Sequence, residues 1–396
     1  MLTLRTLKIV GMYSTFINNI VGCTPFSWNP GKQLLYVKTD TSYARLAAYF
    51  ASYGQALGYM AYLLWQACLV LSHPVGTSIF EVLWLINWIN SYVWQISSNH
   101  SAWVKRHETV TAFNKSVHLF RQMSSENKRI ARMAPIICTL NIIELYFLIT
   151  IFMMGQFAVA TVLMFLVVPG MIQYVYAVVD EKYKVGVVFV GFVIFEGYSK
   201  SSMACVMGTV GFNVLMGPLG TNFWLRFTNR SQGLPISHKI RNYHRLDILM
   251  RTVNDSFTYF LLSVILLCWI PCTMASINGF AAIRFRPVLT LFQYFPFLGL
   301  FHNGMWMIAI VLRPCAGVYE ESKRLKAALT RQTCQGFDSQ SKFFRKQVKA
   351  LKPFGVRYGS VRVAKRIDIL LSYSFIADYI FTLLLTFPAE AVAAGK

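Results

Sequence analysis

Residues 133–179 read MAPIICTLNIIELYFLITIFMMGQFAVATVLMFLVVPGMIQYVYAVV, an apolar run whose only charge is Glu144. At roughly 20 residues per helical crossing, this run is long enough for two passes through a bilayer. One crossing or two decides the side of every loop that follows. Further apolar runs lie at 46–71, 78–98, 185–217, 256–277, 288–312 and 368–387, so the chain makes seven crossings or eight. The basic residues separate the two counts. Four segments, 1–45, 105–132, 218–255 and 313–367, hold 32 of the 38 Lys and Arg residues. Positive charge in short loops stays cytoplasmic. All four segments share that side only if the N-terminus is inside and residues 133–179 cross once. Pro169-Gly170 also interrupts the run. Residues 157–179 then read as an apolar outer loop, a re-entrant segment or an extension of the third helix.

Composition agrees with a bilayer as solvent. Hydrophobic residues make up 55% of the 396, and charged residues 14%, against about 25% charged in an ordinary globular domain. The net charge of +22 does not point to nucleic acid, because the basic residues are confined between apolar runs instead of forming one continuous surface. The fold class is therefore all-α, a multi-pass transmembrane bundle of seven spans. Its expected parts are a cytoplasmic N-terminal segment at 1–45, six spans within 46–312, a cytoplasmic anchor at 313–367, a last span at 368–387 and an extracellular tail at 388–396. Residues 9–28 include Asn18, Asn19 and Pro25, too polar for a signal-peptide core.

A G-protein-coupled receptor would need the opposite orientation, with those 32 basic residues outside. The Asn-X-Ser sequons at Asn99, Asn114, Asn229 and Asn254 fall at or near the cytoplasmic side, where no glycan is added. A secondary transporter should show paired, broken repeats. Pro169-Gly170 has no mirrored partner in the second half. Enzyme motifs are missing from the sequence: there is no phosphate loop, no His-Glu-x-x-His and no Gly-x-Ser-x-Gly. Cys268 and Cys272 lie one turn apart without further ligands beside them, so they read as small packing residues, and no metal or cofactor is expected.

Two stretches in the C-terminal third carry a family resemblance. The first is Tyr243-x-x-Leu246-x-x-Leu249-x-x-x-Val253-Asn254-x-x-Phe257, leading into an apolar run. The second is Leu351-Lys352-Pro353-Phe354-Gly355, followed by Gly359 and then Ser372-Tyr373 in the last run. Together they resemble the insect gustatory and odorant receptor superfamily, seven-span chemoreceptors with a cytoplasmic N-terminus. The family's last helix carries Thr-Tyr, five apolar residues and Gln-Phe. Here Ser372 stands in place of the Thr, Tyr379-Ile380 in place of the Gln-Phe, and Asp378 breaks the apolar stretch. These departures point to a divergent arthropod branch.

The resemblance implies a plasma-membrane chemoreceptor: a homo- or hetero-tetramer around a cation pore lined by the last helix, opened by a small-molecule tastant or odorant. It places the pore at Tyr373, Ala377, Asp378 and Thr382, with Asp378 able to form an acidic ring that favours cations. It places the subunit anchor at Tyr243, Leu246, Leu249, Asn254, Phe354 and Gly355. The ligand pocket, among the second, third, fourth and sixth spans, falls on Trp84, Phe147, Met154, Phe192, Phe195, Tyr294 and Phe297. Glu81 and Glu196 are the nearby acids, suited to an amine or polyhydroxy ligand. Glu144 is expected to pair within the bundle, and the stretch from Tyr319 to Leu351 to form an amphipathic anchor between subunits or on anionic lipid.

Overall fold

The computed structural model describes residues 4–17, 21–38, 43–72, 79–127, 136–137, 140–231, 233–256, 258–287, 289–334, 339–358 and 362–388. Phe257 and Gly359 of the two motifs, most of the expected tail and the side chain of Cys268 lie outside what is described. Among the described residues the α-helices are α1 (Leu4–Phe16), α2 (Tyr43–Ser72), α3 (Ile79–Val104), α4 (Arg106–Glu126), α5 (Ile142–Val167), α6 (Gly186–Arg230), α7 (Ile236–Ser256), α8 (Thr258–Arg284), α9 (Leu291–Cys334), α10 (Ser339–Ala350) and α11 (Arg366–Thr386). The all-α class holds.

α5 runs through residue 157 without a break and stops at Val167, just before Pro169, whose ring cannot continue a helix. As far as Val167, the run is an extension of the third apolar helix. Residues 168–185 then form turns, with short 3₁₀ segments at Val175–Val178 and Glu181–Tyr183. By length and composition four described helices can cross a membrane: Tyr43–Ser72, Ile143–Val167, Tyr294–Cys334 and Arg366–Thr386. α3 and α6 keep polar side chains on inward faces. Asn87, Ser91 and Gln95 on α3, and Glu196, Ser199, Lys200 and Ser202 on α6, are buried inside the bundle. Polar side chains can sit at membrane depth when they face one another and not lipid.

α6 and α9 are 45 and 44 residues long. At 1.5 Å per residue each spans about 67 Å, roughly twice a hydrocarbon core of about 30 Å. The surplus of α6 meets α4 and α7 in a polar domain at one end of the bundle, and that of α9 packs beside α6. There Glu321 takes Arg226 and Arg324, both at 3.1 Å, and Glu126 takes Arg245 at 2.9 Å. Partial burial works against the ionised Glu126 carboxyl, but the hydrogen bonds and charge of Arg245 outweigh it and hold the group below the usual range. α4 crosses α6 at Gly220, where a Cβ would overlap the Phe120 ring. α11 lies on the outside of this bundle against α8 and α9.

Hydropathy does not foreshadow the N-terminal structure. α1 buries Leu7 and Val10 against the bundle, and its Thr6 hydroxyl donates to Glu144 Oε1 at 3.2 Å, a partner for the one acid in the 133–179 run. β1 (Phe26–Asn29) and β2 (Leu34–Val37) make an antiparallel hairpin, closed by Lys32 N donating to Asn29 Oδ1 at 3.0 Å. Asn114 of α4 completes its free edge: Leu35 N donates to Asn114 Oδ1 (3.0 Å) and Asn114 Nδ2 donates to Leu35 O (2.9 Å). One amide side chain thereby does the work of a third strand. Asn114→Ala should cut hydrogen-exchange protection at residues 34–37 about tenfold, with the helices unchanged, since each lost bond is worth about 1 kcal/mol.

Candidate functional site

α5 and α9 are packed over part of their length and leave a cavity of about 380 Å³ between them near the 168–185 connection. That volume is within the usual range for small-molecule pockets, about 300–1,000 Å³. Small side chains open it: Ala160 on α5 and Gly299 on α9, with Pro296 beside Gly299. Its walls are apolar and aromatic, with Trp84 of α3, Phe157 and Met164 of α5, and Phe295 and Leu300 of α9. Phe295 and Leu163 are exposed at its rim, so an apolar molecule can reach it sideways as well as from the end of the bundle. A second cavity of about 30 Å³ adjoins it and shares Phe157, Leu300 and Asn303. Its lining includes Met153, Met154, Met207, Met274 and Met307, flexible side chains that can re-pack around an inserted group.

The ligand residues expected from sequence divide into three groups. Trp84 lines the large cavity, Phe297 packs behind its ring at 4.4 Å, and Met154 lines the small cavity. Phe147 is core: it packs edge-on against Phe212 at 4.8 Å and lines neither space. Glu81 and Tyr294 are half-buried at the starts of α3 and α9 and line neither. Phe192, Phe195 and Glu196 gather elsewhere, around a residue that sequence reading passed over.

That residue is Lys200. Its Nζ lies 3.3 Å from Glu196 Oε2, with both side chains at 1% exposure or less. Three rings surround the ammonium, with centroids at 3.9 Å for Trp88, 4.2 Å for Tyr59 and 5.0 Å for Tyr92. Lys200 also donates to the Tyr92 hydroxyl at 3.0 Å. The Tyr59 hydroxyl is 2.7 Å from Glu196 Oε1 and 3.1 Å from Gln173 O. Tyr62 lies 2.8 Å from the carbonyls of Ile172 and Tyr174, so the same face of α2 ties down the 168–185 connection. Glu196 is thus committed to a cation of its own chain and is not presented to an amine ligand. The signal was present in the sequence as a Glu and a Lys four residues apart on one helix, the spacing that pairs them.

The six residues expected at the subunit anchor come together around a strap, residues 351–356, that leads into α11. Tyr243 packs edge-on against Phe354 at 5.0 Å and its hydroxyl donates to Lys352 O at 2.9 Å. Asn254 Nδ2 donates to Gly355 O, and Arg357 N donates to Asn254 Oδ1, both at 3.0 Å. Leu246 and Leu249 are buried on the same face of α7. A Cβ on Gly355 would lie 2.6 Å from Val363 and 3.0 Å from Tyr319, so only glycine lets the strap pass. These contacts lie within one protomer.

On α11, Ala377, Asp378 and Thr382 lie on an exposed face, whereas the Tyr373 hydroxyl turns inward to donate to Met305 O at 3.2 Å. Leu370, Phe381 and Leu385 are exposed as well, and only Asp368 and Ile376 are buried.

No protein-family model matches this chain, and no curated protein matches it. Solved structures do. The chain superposes on the insect olfactory receptor OR5 from Machilis hrabei in complex with eugenol with a TM-score of 0.63 and 12% identity, over 96% of this chain and 98% of that one. A second structure of that receptor gives a TM-score of 0.60 at the same identity and coverage. The chain therefore has the fold of an insect olfactory receptor along nearly its whole length, a multi-pass helical membrane fold. Both solved structures are receptors and not enzymes.

Proposed function

We propose that this chain is a member of the insect gustatory and odorant receptor superfamily. It acts as a chemosensory receptor and ligand-gated non-selective cation channel. The supporting observation is a fold shared with an olfactory receptor over 96% of this chain; the motifs at Tyr243–Asn254 and Leu351–Gly355 point the same way. That receptor is described in complex with eugenol, a small and mainly apolar phenol, and the apolar cavity between α5 and α9 is the ligand site in this reading.

The chain crosses the plasma membrane seven times with its N-terminus cytoplasmic. Four copies, of this chain alone or with a second subunit, surround a pore. α11 lines it through Ala377, Asp378 and Thr382, which accounts for a helix left so exposed on one protomer. Lipid solvates the remaining apolar surface of the bundle.

Ligand-evoked currents in transfected cells test the reading, with Gly299→Phe to fill the cavity and Asp378→Asn to neutralise the proposed ring. Gly299→Phe should abolish the ligand response while surface expression persists. Asp378→Asn should keep ligand sensitivity and lower the permeability of divalent relative to monovalent cations, because fixed acids in a pore attract the higher charge. Currents indifferent to both changes would remove the cavity and the pore assignment together.

A further inference from the structure

The large cavity is almost wholly apolar, so each polar atom on its wall needs a reason to be there. Thr161 has one, because its hydroxyl donates to the carbonyls of Phe157 and Ala158, 2.9 and 3.0 Å away. Gln156 is on the exposed side of α5. Trp84 Nε1 is a buried donor without a partner among the described residues, and Asn303 supplies the matching acceptor. Its Oδ1 is buried and receives no hydrogen bond from the protein, and the residue sits where the large and small cavities meet. A buried acceptor left unmade is unfavourable. No residue described on the cavity wall is charged, so an ammonium or carboxylate would lose its hydration there with nothing in return.

We propose that the cavity selects uncharged, mainly apolar molecules carrying one hydroxyl, with Asn303 Oδ1 accepting the hydroxyl proton at the inner end and the apolar body lying among Trp84, Met164 and Phe295. This rests on the cavity being the ligand site, as argued above, and adds the chemical class that it takes. The space holds roughly a dozen non-hydrogen atoms, taking about 30 Å³ for each as liquid water does. A phenol or alcohol of that size satisfies the amide oxygen. An ether of the same skeleton offers only an acceptor and a hydrocarbon offers neither, so both leave Oδ1 bare.

The test uses three ligands on one skeleton: thymol, thymol methyl ether and p-cymene. Binding is read on the purified full-length receptor as a ligand-dependent rise in unfolding temperature, alongside half-maximal concentrations for current. For the wild type, thymol should bind about tenfold tighter than either analogue, the effect of one good hydrogen bond to a buried group. Asn303→Leu, similar in size and without the oxygen, should remove that preference and leave p-cymene binding as before. The unliganded unfolding temperature reports whether that variant folds, and the wild-type ligand ranking stands without it. Equal binding of all three, or an equal loss of all three in Asn303→Leu, would overturn the hydroxyl assignment and leave the cavity as the ligand site. Preference for the methyl ether would overturn it too, by showing that the wall offers an N–H, from the amide or from Trp84, instead. If none of the three binds, the cavity reading falls and this inference with it.

Discussion

Lys200→Met alone should sharply reduce the amount of folded protein, and so should Glu196→Leu alone, whereas the two together should restore most of it. Each single change leaves one fully buried charge with its partner removed. Breaking such a pair costs about 3–5 kcal/mol, comparable with the whole stability margin of many domains. Lys200→Met strips Glu196 of its cation and leaves only the Tyr59 hydroxyl on the carboxylate. Glu196→Leu leaves an ammonium among three rings, which attract it but cannot replace a carboxylate. Apolar replacement of both removes the two desolvation penalties at once, and such replacements are often neutral or stabilising. Size-exclusion profiles and unfolding temperatures of the two single variants and the double variant decide the matter. Additive losses in the double variant would mean that the residues act separately and that the geometry of the pair carries little energy.

The second large effect is expected at Asn254. Its amide makes both of its strap contacts to backbone, accepting from Arg357 N and donating to Gly355 O. Asn254→Ala removes both bonds and leaves two main-chain groups without that partner, at about 1–3 kcal/mol for each that stays buried. Ser322 and Tyr243 still hold the neighbouring Phe354 and Lys352, so the bundle should stay folded while the strap loosens. Hydrogen exchange at residues 354–358 should speed up by one to two orders of magnitude. Because the strap leads into α11, the pore helix in the proposed channel, ligand-evoked current should, on that proposal, fall severalfold with ligand binding unchanged. Asn254→Asp is the stricter control: it keeps an acceptor for Arg357 N but turns a second oxygen towards Gly355 O, and should be no better than alanine. Normal exchange together with normal current in Asn254→Ala would show that the strap is held by its other contacts.

Sequence alone went far on architecture, because lipid imposes a one-dimensional rule. A helix that meets hydrocarbon must be apolar for about 20 residues, so α2, α5, α9 and α11 are legible as runs, and Pro169 marks the end of α5. The two C-terminal motifs were legible for a related reason. Tyr243, Leu246, Leu249 and Asn254 recur at helical spacing, and Gly355 occupies a place that no side chain fits. What the sequence does not contain is which faces of separate helices meet. Phe147, Phe192 and Trp84 look alike along the chain. Only packing makes the first a core residue, the second a neighbour of the Lys200 cluster and the third a cavity wall.

Hairpin β1–β2 was equally hidden, since its edge is completed by Asn114, 79 positions from Leu35. The cavity is the clearest case. It exists because Ala160 and Gly299 are small at the same level of two helices far apart in sequence, and a void has no residue of its own to be read. Composition and hydropathy are sums over neighbours in the chain, and they determined the solvent, the helices and their order. Pairing, cavities and orphaned polar atoms depend on neighbours in space, and only the tertiary structure decided those.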